Sequence, residues 1–339
     1  MRILAVNAGS TSLKVSVIGD ADETVHQSAA GAAPADASAA VDRVLADVGE
    51  VDAVCHRIVH GGRFLHEAVV VDDSVRAQLD DAALLAPLHD PAALRILDSL
   101  RARLPVPAVA CFDTSFHARM PDAASTYAVP AAWREAGVRR YGFHGLSCAW
   151  SLRQAATLLQ RDASSLHIIV AHLGGGCSVT AVRDGHGVDT TMGFSPLEGL
   201  VMATRSGSID AAAVLWLQQQ RGLSATELGT ALERQSGVLA LSGSNDMSEI
   251  LRRCESGDAA ACVAVDVFVH RLRSAIGGAA MSLERVDCIV FTGGIGENAA
   301  VIRERAVTGF APSGVVPPVL TVHAREDLQM AAETRRLLS

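Results

Sequence analysis

The sequence lacks the features of a membrane, secreted or nucleic-acid-binding protein. Hydrophobic residues make up 49% of it, but much of this is alanine, and no stretch approaches the ~18 consecutive apolar residues of a spanning helix. Asn7, Gly9 and Ser10 interrupt the only early apolar run, so we expect no signal peptide. Lysine and arginine form no runs and the formal net charge is -8, which argues against nucleic acid as a partner.

Several common metal, redox and nucleotide motifs are also missing. The seven cysteines are odd in number and include no CxxC pair. We therefore expect a reduced, cytoplasmic protein with no zinc site and no disulfide framework, in which Cys254 and Cys262 are packing residues on a helix. The sequence contains no HExxH, no GKS or GKT of a P-loop and no GxGxxG, so it matches none of those patterns.

What the sequence does contain is an α/β pattern with an internal similarity. At 339 residues the chain is long enough for two domains, and Val/Ile-rich strand patterns alternate with amphipathic helical patterns. The start, LAVNAGSTSLKVSVI, and the middle, IIVAHLGGGCSVTAVRDG, both read as strand, glycine-rich turn and strand. This shared plan favours a duplication that gives two similar sheets; a chance match of two short stretches is the alternative.

Three glycine-rich turns follow apolar strands, in NAGSTSLK, HLGGGCS and FTGGIGEN. Such turns present backbone N–H groups to phosphate without obstruction by side chains. Any one of them also fits a tight hairpin with solvated hydroxyl groups. The presence of three in one chain favours nucleotide binding.

Arg57 and Arg205 lie in turns among small residues, in HRIVHGG and TRSGSID. Packing explains an arginine poorly there, whereas a guanidinium suits phosphate or carboxylate oxygens. A solvated surface arginine is the alternative for each. The twelve histidines show no convincing metal-site spacing, and a structural hydrogen-bonding role is the alternative for each of them.

Taken in order, the motifs resemble the acetate/propionate kinase family: NAGSTSLK, HRIVHGG, LAPLHDP, FDTSFH, YGFHG, HLGGGCS, MGFSPLEGLVMATRSGSID and FTGGIGEN. The resemblance implies two duplicated actin-like (ribonuclease H-like) ATPase domains around a nucleotide cleft. Residues 1–115 with about 327–339 would form the first domain, and 116–326 the second, with the nucleotide site. Such enzymes transfer a phosphoryl group reversibly from ATP to a short-chain carboxylate such as acetate, giving acetyl phosphate and ADP. They require Mg²⁺, with Mn²⁺ as an alternative, and are usually homodimers.

The resemblance also implies roles for individual residues. Arg57 and Arg205 would hold the carboxylate and the transferring phosphoryl group, to which His144 would donate a hydrogen bond; Asp113, with Asn7 and Glu326, would hold the metal. The implied nucleotide- and phosphate-binding residues are Asn7, Ser10, Ser12, Lys14, His172, Gly174, Gly176, Asp246, Met247, Gly294, Ile295, Gly296 and Asn298. The implied acid pocket consists of Val59, Leu88, Phe143 and Pro196, with His89 as a further active-site histidine.

The acid and the phosphoryl donor are less tightly specified than the reaction. Val59 implies a tight pocket that favours acetate, although one methylene discriminates by only ~1–3 kcal/mol. Gly175 replaces an asparagine usual in the family, Ser248 replaces an arginine beside the adenine site, and AREDL replaces TNEE around Glu326. These differences leave open propionate or another short-chain acid, a donor other than ATP, and a catalytically inactive nucleotide-binding regulator.

Overall fold

The computed structural model describes residues 1–8, 13–30, 37–86, 90–311 and 314–339 of the chain. Packing divides the chain into two compact units. Unit 1 contains Met1–Ala118, Phe143–Trp150 and Arg325–Ser339. Unit 2 contains Arg119–Gly142 and Ser151–Ala324.

Unit 1 is built on a mixed six-stranded sheet. Its strands are β1 (Ile3–Ala8), β2 (Leu13–Ile18), β3 (Thr24–Ala30), β4 (Ala53–Ile58), β5 (Val69–Val70) and β6 (Ala108–Phe112). Their spatial order is β3-β2-β1-β4-β6-β5. The β1–β2 and β2–β3 pairs are antiparallel, the β1–β4 and β4–β6 pairs are parallel, and β5 is antiparallel to β6.

Helices of unit 1 cover both faces of this sheet. They are α1 (Ala37–Val48), α2 (Asp73–Ala83), α3 (Asp90–Arg101) and α14 (Glu326–Leu338), with the start of α6 (Gly145–Leu159). Leu4, Val6 and Val54 pack in one buried cluster with residues of α1 and α3. Because side chains alternate along a strand, the residues between them point to the opposite face. There α14 packs against β1, β4 and β6.

Unit 2 repeats this plan with a five-stranded sheet. Its strands are β7 (Ile168–Leu173), β8 (Cys177–Arg183), β9 (His186–Thr190), β10 (Cys288–Thr292) and β11 (Val319–Thr321), in the order β11-β10-β7-β8-β9. The β7–β8 and β8–β9 pairs are antiparallel, and β10 is parallel to β7 and β11. Strands β3-β2-β1-β4-β6 of unit 1 have the same order and directions. The predicted α/β class and pair of similar sheets are confirmed.

The remaining helices of unit 2 are α4 (Asp122–Ser125), α5 (Ala131–Glu135), α7 (Ala211–Arg221), α8 (Ala225–Arg234), α9 (Gly237–Ser242), α10 (Met247–Glu255), α11 (Ala259–Met281), α12 (Gly293–Asn298) and α13 (Ala300–Val307). The 23-residue α11 packs against β7 and β8 and buries Val265, Phe268, Leu272 and Ile276. In the part of the chain that the structure describes, no helix combines the length and apolar character needed to cross a membrane.

The expectation of no disulfide is wrong, and so is the placement of Cys254 and Cys262 on one helix as packing residues. Gly257 follows the end of α10 with a φ of +89°, a left-handed conformation that glycine adopts readily. Asp258 then caps α11 by accepting hydrogen bonds from Ala260 N and Ala261 N. This turn brings the two cysteines to a Cα–Cα distance of 4.6 Å, and they form a disulfide. The other five, all buried, are free thiols: Cys55, Cys111, Cys148, Cys177 and Cys288.

Candidate active site

Three polar residues of unit 1 lie at the carboxyl ends of adjacent parallel strands. Asn7 lies in β1, Arg57 in β4, and Asp113 directly follows β6. Strand alternation directs all three side chains to the face covered by α14. Glu326 is the first residue of that helix. The sheet register therefore explains why residues so distant in sequence meet.

These four residues form what we call the Arg57 cluster: Asn7, Arg57, Asp113 and Glu326. Arg57 donates from Nε to Asp113 Oδ1 at 2.9 Å and from Nη2 to Asp113 Oδ2 at 2.6 Å. Its Nη1 donates to Asn7 Oδ1 at 3.2 Å. Asn7 Nδ2 donates to Glu326 Oε2 at 3.3 Å, and this carboxylate oxygen lies 3.7 Å from Arg57 Nε. The bidentate pair fixes the plane of the guanidinium.

The Arg57 cluster contains one guanidinium, which can bind an anion, and two carboxylates, which can bind a cation. Burial alone would lower the pKa of Arg57, but the carboxylates of Asp113 and Glu326 outweigh it and raise that pKa, so Arg57 stays charged. The side chain of Asp113 is only 1% exposed. Two carboxylates against one guanidinium leave one formal negative charge. The cluster can therefore accept a further cation near its oxygens.

His144 lies next to this cluster because of a tight backbone contact. Gly145 N donates to Asp113 O at 2.8 Å, and a Cβ on Gly145 would lie 2.3 Å from that oxygen, so only glycine fits. His144 is buried and has a φ of +60°, a strained conformation for a residue with a side chain. Phe143 is also buried, edge-on to His60 at 5.6 Å between ring centroids.

Val59 is positioned by a carboxylate that the sequence analysis did not assign. Asp90 Oδ1 accepts a hydrogen bond from Val59 N at 3.0 Å, and Asp90 Oδ2 accepts one from His60 N at 3.3 Å. Burial raises the pKa of Asp90 to about 7, and its two hydrogen bonds offset only part of this effect. Asp90 lies in LAPLHDP, the motif that suggested His89 instead.

Four of the predicted site residues lie outside the described residues: Ser10, Ser12, Leu88 and His89. Lys14 is described. It is the exposed cross-strand neighbour of Asn7 in the β1–β2 pair.

In unit 2, Arg205 is held by a carboxylate and a backbone carbonyl. Its Nε lies 3.2 Å from Glu233 Oε2, and its Nη1 donates to Pro196 O at 3.3 Å. Pro196, assigned from the sequence to the acid pocket, thus neighbours Arg205. Glu233 was not singled out in the sequence, because it lies 28 residues further along the chain in α8.

The two glycine-rich turns of unit 2 lie side by side. His172 pairs with Thr292 in the parallel β7–β10 register, so HLGGGCS and FTGGIGEN leave the sheet together. Gly174 N donates to Gly176 O at 2.9 Å, which closes the first turn. In the second, Gly296 is buried within α12.

A cavity of about 430 Å³ opens at these turns. It is lined by Gly174, Gly175, Ala203, Asn245, Asp246, Met247, Ser248, Gly294, Ile295, Asn298 and Ala299. Six of these were predicted from the sequence to bind nucleotide: Gly174, Asp246, Met247, Gly294, Ile295 and Asn298. A Cβ at Gly175 would meet nothing within 4 Å, so this substitution leaves space in the cavity wall. Ser248, a second departure from the family pattern, lines the same cavity.

Glu297 connects the second turn to residues 323 and 324. The sequence analysis did not single it out, although it belongs to FTGGIGEN. Its Oε1 accepts from Gly293 N at 3.1 Å and from Ala324 N at 3.0 Å, and its Oε2 pairs with His323. Burial would raise the pKa of Glu297, but these hydrogen bonds lower it overall. Gly293 itself has a φ of +78°, which glycine tolerates.

Comparison with known proteins tests the motif resemblance over the whole chain. A sequence model described as the Acetokinase family matches residues 25–325. This chain belongs to the acetokinase family. A curated relative, the acetate kinase of Synechococcus sp. (strain JA-2-3B'a(2-13)), is 46% identical over 280 residues, covering 82% of this chain and 69% of the relative. The acetate kinase of Streptomyces coelicolor is 38% identical, covering 100% of this chain and 97% of the relative.

Solved structures agree with this acetokinase assignment. The crystal structure of Porphyromonas gingivalis acetate kinase has a TM-score of 0.91 at 29% identity and covers 100% of both chains. That of a propionate kinase from Francisella tularensis has a TM-score of 0.92 at 32% identity and covers 99% of both chains. The predicted family and its actin-like fold are confirmed. The roles of individual site residues stay predictions.

Proposed function

We propose that this chain transfers the γ-phosphoryl group of ATP to acetate, giving acetyl phosphate and ADP, and also catalyses the reverse reaction. A bond forms between an acetate oxygen and the γ-phosphorus, while the bond from that phosphorus to the β–γ bridging oxygen breaks. The observation that supports the proposal most strongly is the Arg57 guanidinium, half-buried and fixed by hydrogen bonds at the ends of three strands in an acetokinase-family chain.

The residues suit a reaction in which one anion approaches another. Acetate is ionised at neutral pH, so the reaction needs no general base. The barrier lies in positioning and in charge stabilisation. In our proposal Arg57 and Arg205 hold carboxylate and phosphoryl oxygens, and His144 donates a hydrogen bond to the phosphoryl group. Among the described residues, Arg205 Nη2 has no hydrogen-bond acceptor, so its outer N–H is available to a substrate oxygen.

We propose that Asn7, Asp113 and Glu326 hold Mg²⁺, directly or through water. Within the described part of the chain, no three His, Cys, Asp or Glu side chains are grouped as a metal site. The donor set is instead two carboxylates and an amide oxygen, gathered on one guanidinium. This fits Mg²⁺, which usually binds one or two carboxylates together with waters and substrate phosphates. When bound, Mg²⁺ would neutralise phosphate charge.

The proposal is tested by trapping acyl phosphates as hydroxamates, with ATP, Mg²⁺ and acetate, propionate or butyrate. We expect a kcat/KM for acetate about tenfold above that for propionate, because the half-buried Val59 and the buried Phe143 restrict the pocket. A higher value for propionate would contradict the acid assignment. Turnover of no acid, with ATP binding retained, would favour a regulator instead.

A second donor is supported by one observation, the space at Gly175 beside Ser248 in the proposed nucleotide cavity. The same assay, with GTP or pyrophosphate replacing ATP, measures the donor preference. We also propose a cytoplasmic location, because five of the seven cysteines are free thiols; the Cys254–Cys262 disulfide counts against it.

We further propose that the chain forms a homodimer through α7. Each of the eleven residues of α7 is described, and none is buried. Leu215 and Trp216 are 54% and 51% exposed, and neighbouring Ile209 is 49% exposed, so no described residue of the chain covers these apolar side chains. In light scattering after size exclusion, we expect twice the 35.3 kDa mass of one chain.

The dimer proposal has a matched control. Trp216→Glu places a charge on the α7 face, and we expect it to give the mass of one chain. Trp133→Glu alters a tryptophan that is 56% exposed in α5, and we expect the dimer to persist. A monomeric wild type, or a dimeric Trp216→Glu variant, would contradict this interface.

A further inference from the structure

We infer that Glu233 is a positioning residue that orients the guanidinium of Arg205 during phosphoryl transfer. The inference rests on the proposed function, in which Arg205 contacts the reacting oxygens. It is supported by contacts within unit 2 alone.

The residues on both sides of Arg205 are hydrogen-bonded to the carboxyl end of α8. Thr204 Oγ1 donates to Glu233 O at 2.9 Å, and Ser206 N donates to Leu232 O at 3.0 Å. These carbonyls belong to the last turn of α8, where the partial negative charge of the helix dipole lies. The loop therefore presents Arg205 to a site that attracts cations.

The carboxylate of Glu233 then fixes the orientation of the Arg205 guanidinium. Its Oε2 lies 3.2 Å from Arg205 Nε, while Pro196 O accepts from Nη1 and Met202 Sδ lies 3.7 Å from Nη1. The side chains of Arg205 and Glu233 are 20% and 16% exposed, so solvent competes weakly for these contacts. Nη2 shares one edge with Nε, so the pair leaves the outer N–H of Nη2, which points away from Glu233, for a substrate oxygen.

We expect the orientation of the Arg205 guanidinium to affect the rate of phosphoryl transfer. A free arginine side chain has many rotamers, and a carboxylate on Nε selects one in which Nη2 is held in place. A misplacement of about 1 Å at a reacting group can lower a rate about 10²-fold. The proposed function assigns no substrate contact to Glu233, whose carboxylate lies against Arg205, so we expect its effect to act through Arg205.

The test combines Glu233→Ala, Glu233→Gln, Arg205→Ala and the double variant Arg205→Ala/Glu233→Ala. For Glu233→Ala we expect kcat to fall about 10–100-fold while the KM for ATP stays within about twofold. Glu233→Gln keeps a carbonyl oxygen that can accept from Nε, so we expect kcat within about threefold of the wild type. The double variant should match Arg205→Ala within about twofold, since a residue acting through Arg205 adds no loss once Arg205 is gone.

Glu227→Ala is the matched control. Glu227 belongs to the same helix and forms a capping box with Ser224 at its start, far along the helix from Arg205. Its loss weakens α8 without freeing Arg205, so we expect a lower unfolding temperature and a kcat within about twofold of the wild type.

Three outcomes would overturn the inference. They are a Glu233→Ala kcat near that of the wild type, equal losses in Glu233→Ala and Glu227→Ala, and a double variant that falls further by the full Glu233→Ala factor. In each case a large loss in Arg205→Ala alone leaves the proposed function standing. A wild type without turnover on any acid would instead reject the proposed function.

Discussion

Replacing Arg57 by alanine is expected to lower kcat for acyl phosphate formation about 10³-fold, equivalent to ~4 kcal/mol of transition-state stabilisation. Arg57 is the one cation of a cluster that also contains the carboxylates of Asp113 and Glu326. Without it, those carboxylates repel the incoming phosphate and acetate. The measurement is the hydroxamate assay at saturating acetate and Mg·ATP.

Stability has to be separated from catalysis in this variant. Arg57→Ala leaves the buried carboxylate of Asp113 unpaired, which is expected to cost about 3–5 kcal/mol of unfolding free energy. Arg57→Lys retains the charge but not the bidentate geometry, so it is expected to fold better and still lose about 10²-fold in kcat. Thermal unfolding followed by circular dichroism identifies the folded variants.

Arg76→Ala is the control for loss of a bidentate pair. Arg76 donates to both carboxylate oxygens of Asp98, at 2.7 and 2.8 Å, on the surface of unit 1. We expect a kcat within about twofold of the wild type and a stability loss below about 1 kcal/mol. A folded Arg57→Ala variant with a kcat within about tenfold of the wild type would reject the role proposed for Arg57.

The sequence was sufficient to predict elements whose signals are local. Alternating apolar residues and a glycine-rich turn identify β1–β2 and β7–β8, and the similarity of these two stretches predicts the matching sheets. Arg57 and Arg205 could be singled out as arginines that packing explains poorly. The prediction that both lie in turns is wrong for Arg57, which lies within β4. Family motifs then linked these positions to one reaction.

Pairings between distant segments could not be predicted in this way. Asp90 and Glu233 are recognisable only when the fold supplies their partners, Val59 and Arg205, which lie 31 and 28 residues away. The disulfide was missed for a related reason. Its formation depends on the turn at Gly257, which breaks one helical pattern into α10 and α11.

Asp90 is expected to contribute a stability that falls as the pH rises from about 4 to 7. Burial lowers the pKa of His56 to about 3 and those of His60 and His117 to about 4, so these histidines contribute in the opposite direction, and the effect of Asp90 is measured as a difference between variants. The pKa of Asp90 is raised by burial from an ordinary 3.8 to about 7, so the folded state holds a proton that the unfolded state releases in this range. The Asp90 contribution to stability is therefore lost as the pH rises, at up to ~1.4 kcal/mol per pH unit, or about 4 kcal/mol over the range. Above pH 7 both states are ionised and this loss is complete.

Asp90→Asn isolates this effect, since asparagine does not titrate. The variant keeps one carbonyl acceptor for Val59 N or His60 N, so at pH 4.5 it is expected to be about 1–2 kcal/mol less stable than the wild type. By pH 8 we expect Asp90→Asn to be more stable than the wild type, because only the wild type has to bury a carboxylate. Urea unfolding of both proteins at four pH values gives the difference. Asp81→Asn alters an exposed residue of α2, and we expect its unfolding free energy to change with pH in the same way as that of the wild type. If the unfolding free energy of Asp90→Asn also changes with pH in the same way as the wild type, burial does not perturb Asp90.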